Sequence, residues 1–420
     1  MSAQPLTQTR LANGITVIAV ENNAADIVAA RCFLRAGGRW ETPGQRGISH
    51  LLSAVMTKGT TTFSSADIAD QVESTGANMG TDVSADYFVL SLKTVTADFP
   101  NLLRLAADLL RSPSFPTAEV QLERQLTLQN IRAQQERPFS LAFQQLRTAM
   151  YAGHPYGGSM LGTPETIQAL TPADLHAYHH TYFRPDNLVI SLCGRIVRQD
   201  AIALVDAIFG DWTAPAAALP LPPIPTLTPQ PGCHIIPQDT QQSIVMLGYA
   251  APSVHNTTDY VPLKVINTYL GSGLSSRLFV ELREKQGLAY DVSAFYPTRY
   301  HQSQFVAYMG TAPENTQIAV DCLHRELKRL CEVVLDPEDL QASKNKLLGQ
   351  YALGKQTNAE IAQLFGWYQI IDLGVDFDQQ FQDAVNAVTL EDLQTIAQRY
   401  FTTPYLSILG PATHVSTVIF

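Results

Sequence analysis

Apolar residues recur along this chain with two different periods, and each change of period marks a change of element. Continuous or alternating β-branched and aliphatic residues at 15–21 and 27–36 predict two strands, and a further strand pair is expected across 78–95. A helical spacing of about 3.6 predicts helices near 44–57 and 65–75, then over 97–111 and 117–151. A helix and an apolar strand over 171–194 close the first half. The second half repeats the layout: strand at 233–250, helices at 257–270 and 275–286, strands across 289–310, helices over most of 315–400, and a last strand at 405–409. Strands that come singly and in hairpins, followed by helical runs, predict an α/β (α+β) protein. Each half is then an antiparallel or mixed sheet with helices gathered on one face.

The two halves carry copies of one pattern. Residues 171–194 read TPADLHAYHHTYFRPDNLVISLCG, and residues 389–410 read TLEDLQTIAQRYFTTPYLSILG. At a constant offset of 218, Thr171 meets Thr389, Asp174 meets Asp392, Leu175 meets Leu393, and Tyr182-Phe183 meets Tyr400-Phe401. After a two-residue gap, Ser191 meets Ser407 and Gly194 meets Gly410. Each copy is a capped amphipathic helix ending in an aromatic pair, then an apolar strand closed by glycine. So long a period denotes a duplicated domain rather than a solenoid. Between the copies, residues 213–232 hold seven of the 25 prolines and no charge. Proline fixes φ and removes a donor, so this stretch reads as a semi-rigid linker. The expected organisation is a domain over 1–212, a linker over 213–232, and a homologous domain over 233–420.

Composition narrows the classes of function. The chain is 45% hydrophobic and 16% charged, enough apolar material for two sizeable cores in 420 residues. A net charge of -10 without any basic run argues against nucleic acid as a partner. No apolar run reaches the roughly 18 to 20 residues of a membrane span, and the opening stretch shows no cleavage-site pattern. The expected compartment is the cytoplasm, or the periplasm if a leader was removed or a partner is exported. Cys32, Cys193, Cys233, Cys322 and Cys331 are scattered among apolar residues with no C-x-x-C pair. Buried, reduced thiols are expected.

Candidate chemistry centres on residues 47–60, GISHLLSAVMTKGT. This stretch resembles the insulinase and pitrilysin family of zinc peptidases, whose inverted zinc motif looks like G-x-x-H-x-x-E-H-M followed by K-G-T. Gly47, His50, Lys58, Gly59 and Thr60 match, but Ser53 stands at the position of the glutamate base and Ala54 at that of the second histidine. The resemblance places a third ligand about 80 residues beyond the first histidine on a long helix. There the chain has Asn130, with Glu123 at the other acidic position of that helix. A helix puts residues i, i+3 and i+4 on one face, so two histidines can hold zinc while the glutamate addresses its water. A hydroxyl, a methyl and a carboxamide supply neither ligand nor base. The metal positions His50, Ser53, Ala54 and Asn130 are therefore expected to hold no zinc, and no catalytic residue is assigned.

A second pattern is intact. In SSRLFVELREKQGLAY (275–290), Arg283 lies on the last turn of a helix stopped by Gly287, and Tyr290 begins the next strand. A guanidinium and a phenol at that spacing can clamp a substrate carbonyl. The pair resembles the Arg/Tyr pair with which the family contacts substrate opposite the zinc, reaching it from the partner's second domain in two-chain members.

The resemblance therefore implies the non-catalytic subunit of a heterodimeric zinc metallopeptidase, similar to subunits of bacterial two-chain enzymes and mitochondrial processing peptidases. Zinc would sit in a homologous catalytic partner with an intact H-x-x-E-H. This chain would add Arg283, Tyr290 and half of a chamber for unfolded peptide, whose backbone could join a sheet edge near 78–95. Two alternatives stay open: a structural scaffold like the core proteins of respiratory complexes, and a stand-alone peptide-binding homodimer. A rival metal set, His176, His179 and His180, has only Gln394, Ala397 and Gln398 at the matching positions of the second copy.

Overall fold

Strands and helices follow one another in the same order along both halves of the chain, and the computed structural model describes residues 6–419. The first half begins with strands β1 (Leu6–Arg10), β2 (Thr16–Glu21) and β3 (Ile27–Leu34). Helices α1 (Ile48–Val55) and α2 (Ser65–Glu73) lead to the hairpin β4 (Asn78–Val83) and β5 (Phe88–Val95). Next come α3 (Phe99–Arg111), α4 (Thr117–Gln135), α5 (Pro138–Met150), α6 (Pro164–Ala169) and α7 (Pro172–Tyr182). Strand β6 (Leu188–Gly194) and helix α8 (Arg198–Phe209) complete it.

Residues 213–232 carry no helix or strand. Beyond them lie β7 (Cys233–Pro237), β8 (Ser243–Ala251), α9 (Thr257–Gly271), a π-helical turn at Phe279–Lys285, β9 (Ala289–Phe295) and β10 (Ser303–Thr311). Helices α10 (Thr316–Glu332), α11 (Pro337–Leu353), α12 (Asn358–Ile370), α13 (Phe377–Ala387) and α14 (Leu390–Tyr400) then precede β11 (Tyr405–Gly410) and α15 (Ala412–Val415).

The two sheets have one topology. The first runs β1-β2-β6-β3-β5-β4 and the second β7-β11-β8-β10-β9, the same order without the first strand. In each, the last strand of the half inserts between two earlier ones with one parallel neighbour, β6 on β2 and β11 on β7, and all other pairings among the described strands are antiparallel. The register repeats as well: Arg31 stands opposite Ser191, and Met246 opposite Ser407. Both sheets are mixed, as the pattern of strands predicted.

The chain divides into two compact units that do not follow the sequence in one piece each. The first takes residues up to Ile131, Ser159–Ile224 and Leu353–Phe377; the second takes Arg132–Gly158, Pro225–Ala352 and Asp378 onward. The cause is an exchange of helices. Helix α12, from the second half, packs on β3 and β6, and α5, from the first half, packs on β8 and β11. In the first unit, Val28, Ala30, Cys32 and Leu34 of β3 join the core shared with α1, α3 and α8. The other face of the same strand is closed by α12, whose Gly366 lies so near Phe33 that an added Cβ would stand 2.4 Å from the ring.

Local chemistry explains the element boundaries. Several helices start on a reciprocal capping box, among them α7 at Thr171/Asp174 and α14 at Thr389/Asp392, the two copies of the repeat. The single helix expected over 117–151 is in fact two. Pro138 has no amide hydrogen and forces Arg137 out of helical geometry (φ -98°, ψ 113°), so the chain restarts there as α5. Strand β1 was not foreseen because LTQTR, at the sheet edge, has only part-buried and exposed residues. The expectation of buried thiols fails at Cys233, which is exposed on the outer strand β7; Cys32, Cys193 and Cys322 are buried, and all five are free. Among the described residues no helix is long and apolar enough to cross a membrane.

Candidate functional site

Helix α1 carries the candidate metal face. It starts at Gly47, whose φ of +89° is left-handed and where a Cβ would meet Ile167 and the Leu161 carbonyl at 2.7 Å, so only glycine fits. The first turn is held by Glu41, whose two carboxylate oxygens accept the Gly47 and Ser49 amide hydrogens, each at 3.0 Å, and the Ser49 hydroxyl. Burial pushes this carboxyl up to about 7, against the downward pull of those three donors. The far end is tied to the edge strand by the Thr81 hydroxyl, which donates to the Ser53 carbonyl at 2.7 Å.

His50 and Ser53 sit one turn apart on this helix, with Ala54 next to Ser53. Burial lowers the pKa of His50, opposed first by Glu123 and then by Asp82. The imidazole thus has two carboxylates in its surroundings, yet neither completes a metal site. Glu123 is paired with Lys58 at 3.4 Å. Asn130 is exposed on α4, two turns further along. Ser53 is buried, and its hydroxyl cannot serve as a base near neutral pH. Among the described residues no group of three His, Cys, Asp or Glu side chains could hold a metal ion. The residues present do not fit zinc.

The K-G-T stretch has a local task. The Thr60 hydroxyl accepts the amide hydrogens of Thr62 (3.1 Å) and Phe63 (2.9 Å), and Gly59 at φ +156° lets the chain turn against Ser114. Sequence reasoning singled out Lys58 by resemblance, and its ion pair with Glu123 ties this turn to α4. Glu41 was missed. Its signal was slight: one carboxylate in the loop six residues before the helix-starting glycine.

Arg283 and Tyr290 flank a tight reversal. The Gly287 amide donates to the Arg283 carbonyl (3.2 Å) and the Leu288 amide to the Leu282 carbonyl (2.9 Å), with Gly287 at φ +65°. The helix anticipated here is π-helical, with Leu278 and Leu282 buried beneath it. Arg283 is exposed, its guanidinium 5.0 Å above the Phe279 ring. Tyr290 is 61% exposed on β9, the outer strand of its sheet.

The three-histidine run is no metal set. His179 is buried, with Nε2 2.9 Å from the Leu110 carbonyl, and burial lowers its pKa to about 4. The His176 ring stands edge-on to Phe115, and His176 and His180 are exposed.

Residues 16–164 match the family model described as Insulinase (Peptidase family M16), and residues 169–347 match the one described as Peptidase M16 inactive domain. The chain is 28% identical to YmxG, an uncharacterized zinc protease of Bacillus subtilis (strain 168), over 95% of this chain and 97% of that one. It is 23% identical to an uncharacterized zinc protease of Rickettsia bellii, over 96% and 97% of the two chains. Among solved structures, a peptidase M16 inactive domain from Pseudomonas fluorescens superposes with a TM-score of 0.90 at 23% identity, covering 97% of this chain and 98% of its own. A protease from Helicobacter pylori gives the same TM-score and identity, covering 97% and 100%.

Proposed function

Because the chain belongs to the M16, or insulinase, family of peptidases, we propose that it is a non-catalytic subunit that completes the zinc site of a catalytic homologue. The observation that carries this reading is the face of α1. Where the family resemblance calls for a base and a second histidine, Ser53 and Ala54 stand beside His50, while Asn130 points to solvent from α4. Losing a positioned base costs a factor of about 100 to 10,000. Losing the metal also forgoes the fall of bound water's pKa from about 15.7 to about 7.

The partner supplies zinc, two histidines and the base. This chain supplies Arg283 and Tyr290, whose exposure fits side chains aimed at a substrate outside their own unit. Unfolded peptide adds to β4 as a further strand. Among the described residues β4 pairs only with β5, which leaves one row of its backbone donors and acceptors outside the sheet ladder.

The test is reconstitution. The isolated chain should bind no stoichiometric zinc and cleave no peptide, and mixing it with a catalytic homologue should restore zinc-dependent cleavage. In the mixture, Arg283→Ala or Tyr290→Phe should lower the rate by about 10- to 100-fold without preventing assembly, as expected for loss of a charge-assisted contact to the transition state. Unchanged rates would remove the pair from the site. Stoichiometric zinc and unaided cleavage by the isolated chain would end the whole reading.

A further inference from the structure

On the side of the first sheet that faces away from α1, helix α12 leaves a solvent-open hollow of about 300 Å³ lined by Arg31, Tyr87, Gln363, Leu364 and Trp367. Arg31 projects from the middle of β3. One of its terminal nitrogens donates to the carbonyls of Ala30 (2.9 Å) and Leu92 (3.4 Å). No described carboxylate pairs with it. Glu360, which also lines the hollow, gives one carboxylate oxygen to the N-cap of α12, accepting from the Thr357 amide (2.9 Å) and hydroxyl (3.0 Å). Burial accordingly pulls the guanidinium below its ordinary pKa, with only Cys32 acting the other way. A charge drawn partly out of water without a counter-ion is a cost the fold carries, and a bound anion would remove it.

The duplicated half shows that the fold does not require this charge. At the matching register of the second sheet stands Met246, fully buried, and its neighbour Ser407 donates to the Ala142 carbonyl (2.9 Å) and to Gln145 (2.7 Å). In the first sheet the matching Ser191 hydroxyl is buried with no partner. Trp367 is held beside the hollow because Gly366 lets α12 sit directly on Phe33.

We propose that this hollow binds the C-terminal residue of a short peptide, with Arg31 taking the carboxylate and Trp367, Tyr87 and Leu364 taking a large apolar side chain. A lone planar guanidinium matches a carboxylate in two parallel hydrogen bonds, whereas a phosphate dianion would leave most of its charge unmet. The volume lies at the lower end of the range for small-molecule sites and takes about one large residue, while the open side lets the rest of the chain lead away. Gln363 offers an amide to the last peptide group. This site uses the first unit alone and stands whether or not the chain assists a catalytic partner.

The full chain is titrated with Ala-Ala-Phe as the free acid and as the C-terminal amide, by calorimetry at low salt. The acid should bind about tenfold or more tightly than the amide. Arg31→Met, which copies the second half, should abolish that preference, and Trp367→Ala should weaken both ligands. Thermal melts establish that each variant is folded, and the tryptophan variant keeps the test decisive if the arginine variant is not. Equal binding of acid and amide, or unchanged binding by folded Arg31→Met, would overturn the proposal. So would displacement of the peptide by millimolar inorganic phosphate, and equal affinity for N-acetyl-phenylalanine would replace the peptide with a small aromatic acid.

Discussion

Single residues in this chain repay reading by environment rather than by type. His179 sits in a three-histidine run yet is a core residue, held neutral by burial with a pKa of about 4. Its folded value lies below the ordinary one of about 6.5, so the stability it contributes is complete above about pH 6.5 and is lost as the pH falls toward 4. Denaturant titrations at pH 7 and pH 4 should show the wild type losing up to about 3 kcal/mol more than His179→Asn. An equal loss in both would clear His179 as the cause. That His50, Ser53 and Ala54 share one face of α1 was legible from helical spacing, while their reading as a degenerate metal face came from the family resemblance. Glu41 was not, since it reaches α1 across a loop, and neither was the hollow, whose Arg31 and Trp367 lie more than 300 positions apart in the chain. No local pattern joins residues that meet only through the fold.

At the scale of elements, short-range chemistry made most of the fold readable and long-range packing hid the rest. The capping boxes at Thr171 and Thr389 mark the same helix in both copies because their hydrogen bonds span three residues. Thr389→Ala should cost about 1 kcal/mol in chemical denaturation. What could not be read was the destination of α5 and α12. An apolar stripe says that a helix packs, but not on which of two similar sheets. Gly366 tests the arrangement. In an isolated helix, glycine to alanine would stabilise by about 1 kcal/mol. Here the new methyl would collide with the Phe33 ring, so Gly366→Ala should instead destabilise by about 1 to 3 kcal/mol. Phe33→Leu should recover part of that loss in the double variant. A stabilised single variant would mean that α12 does not rest on β3.

For the whole molecule, the duplication was visible in the repeat at 171–194 and 389–410, and the two sheets confirm it strand by strand. The copies differ in what they carry: the first holds the His50, Ser53 and Ala54 face of α1 and the open hollow, the second the Arg283 and Tyr290 pair. Such a division of labour is accessible to a duplicated chain because either half can lose chemistry while the other keeps the architecture. The traded helices constrain it in one further respect. Because each sheet is finished by a segment made in the other half, the first sheet must wait on the ribosome until residue 370 has emerged before its outer face can close. For the same reason, a protease cut anywhere in 213–232 should leave two fragments interlaced like clasped fingers, separable on a sizing column only in denaturant.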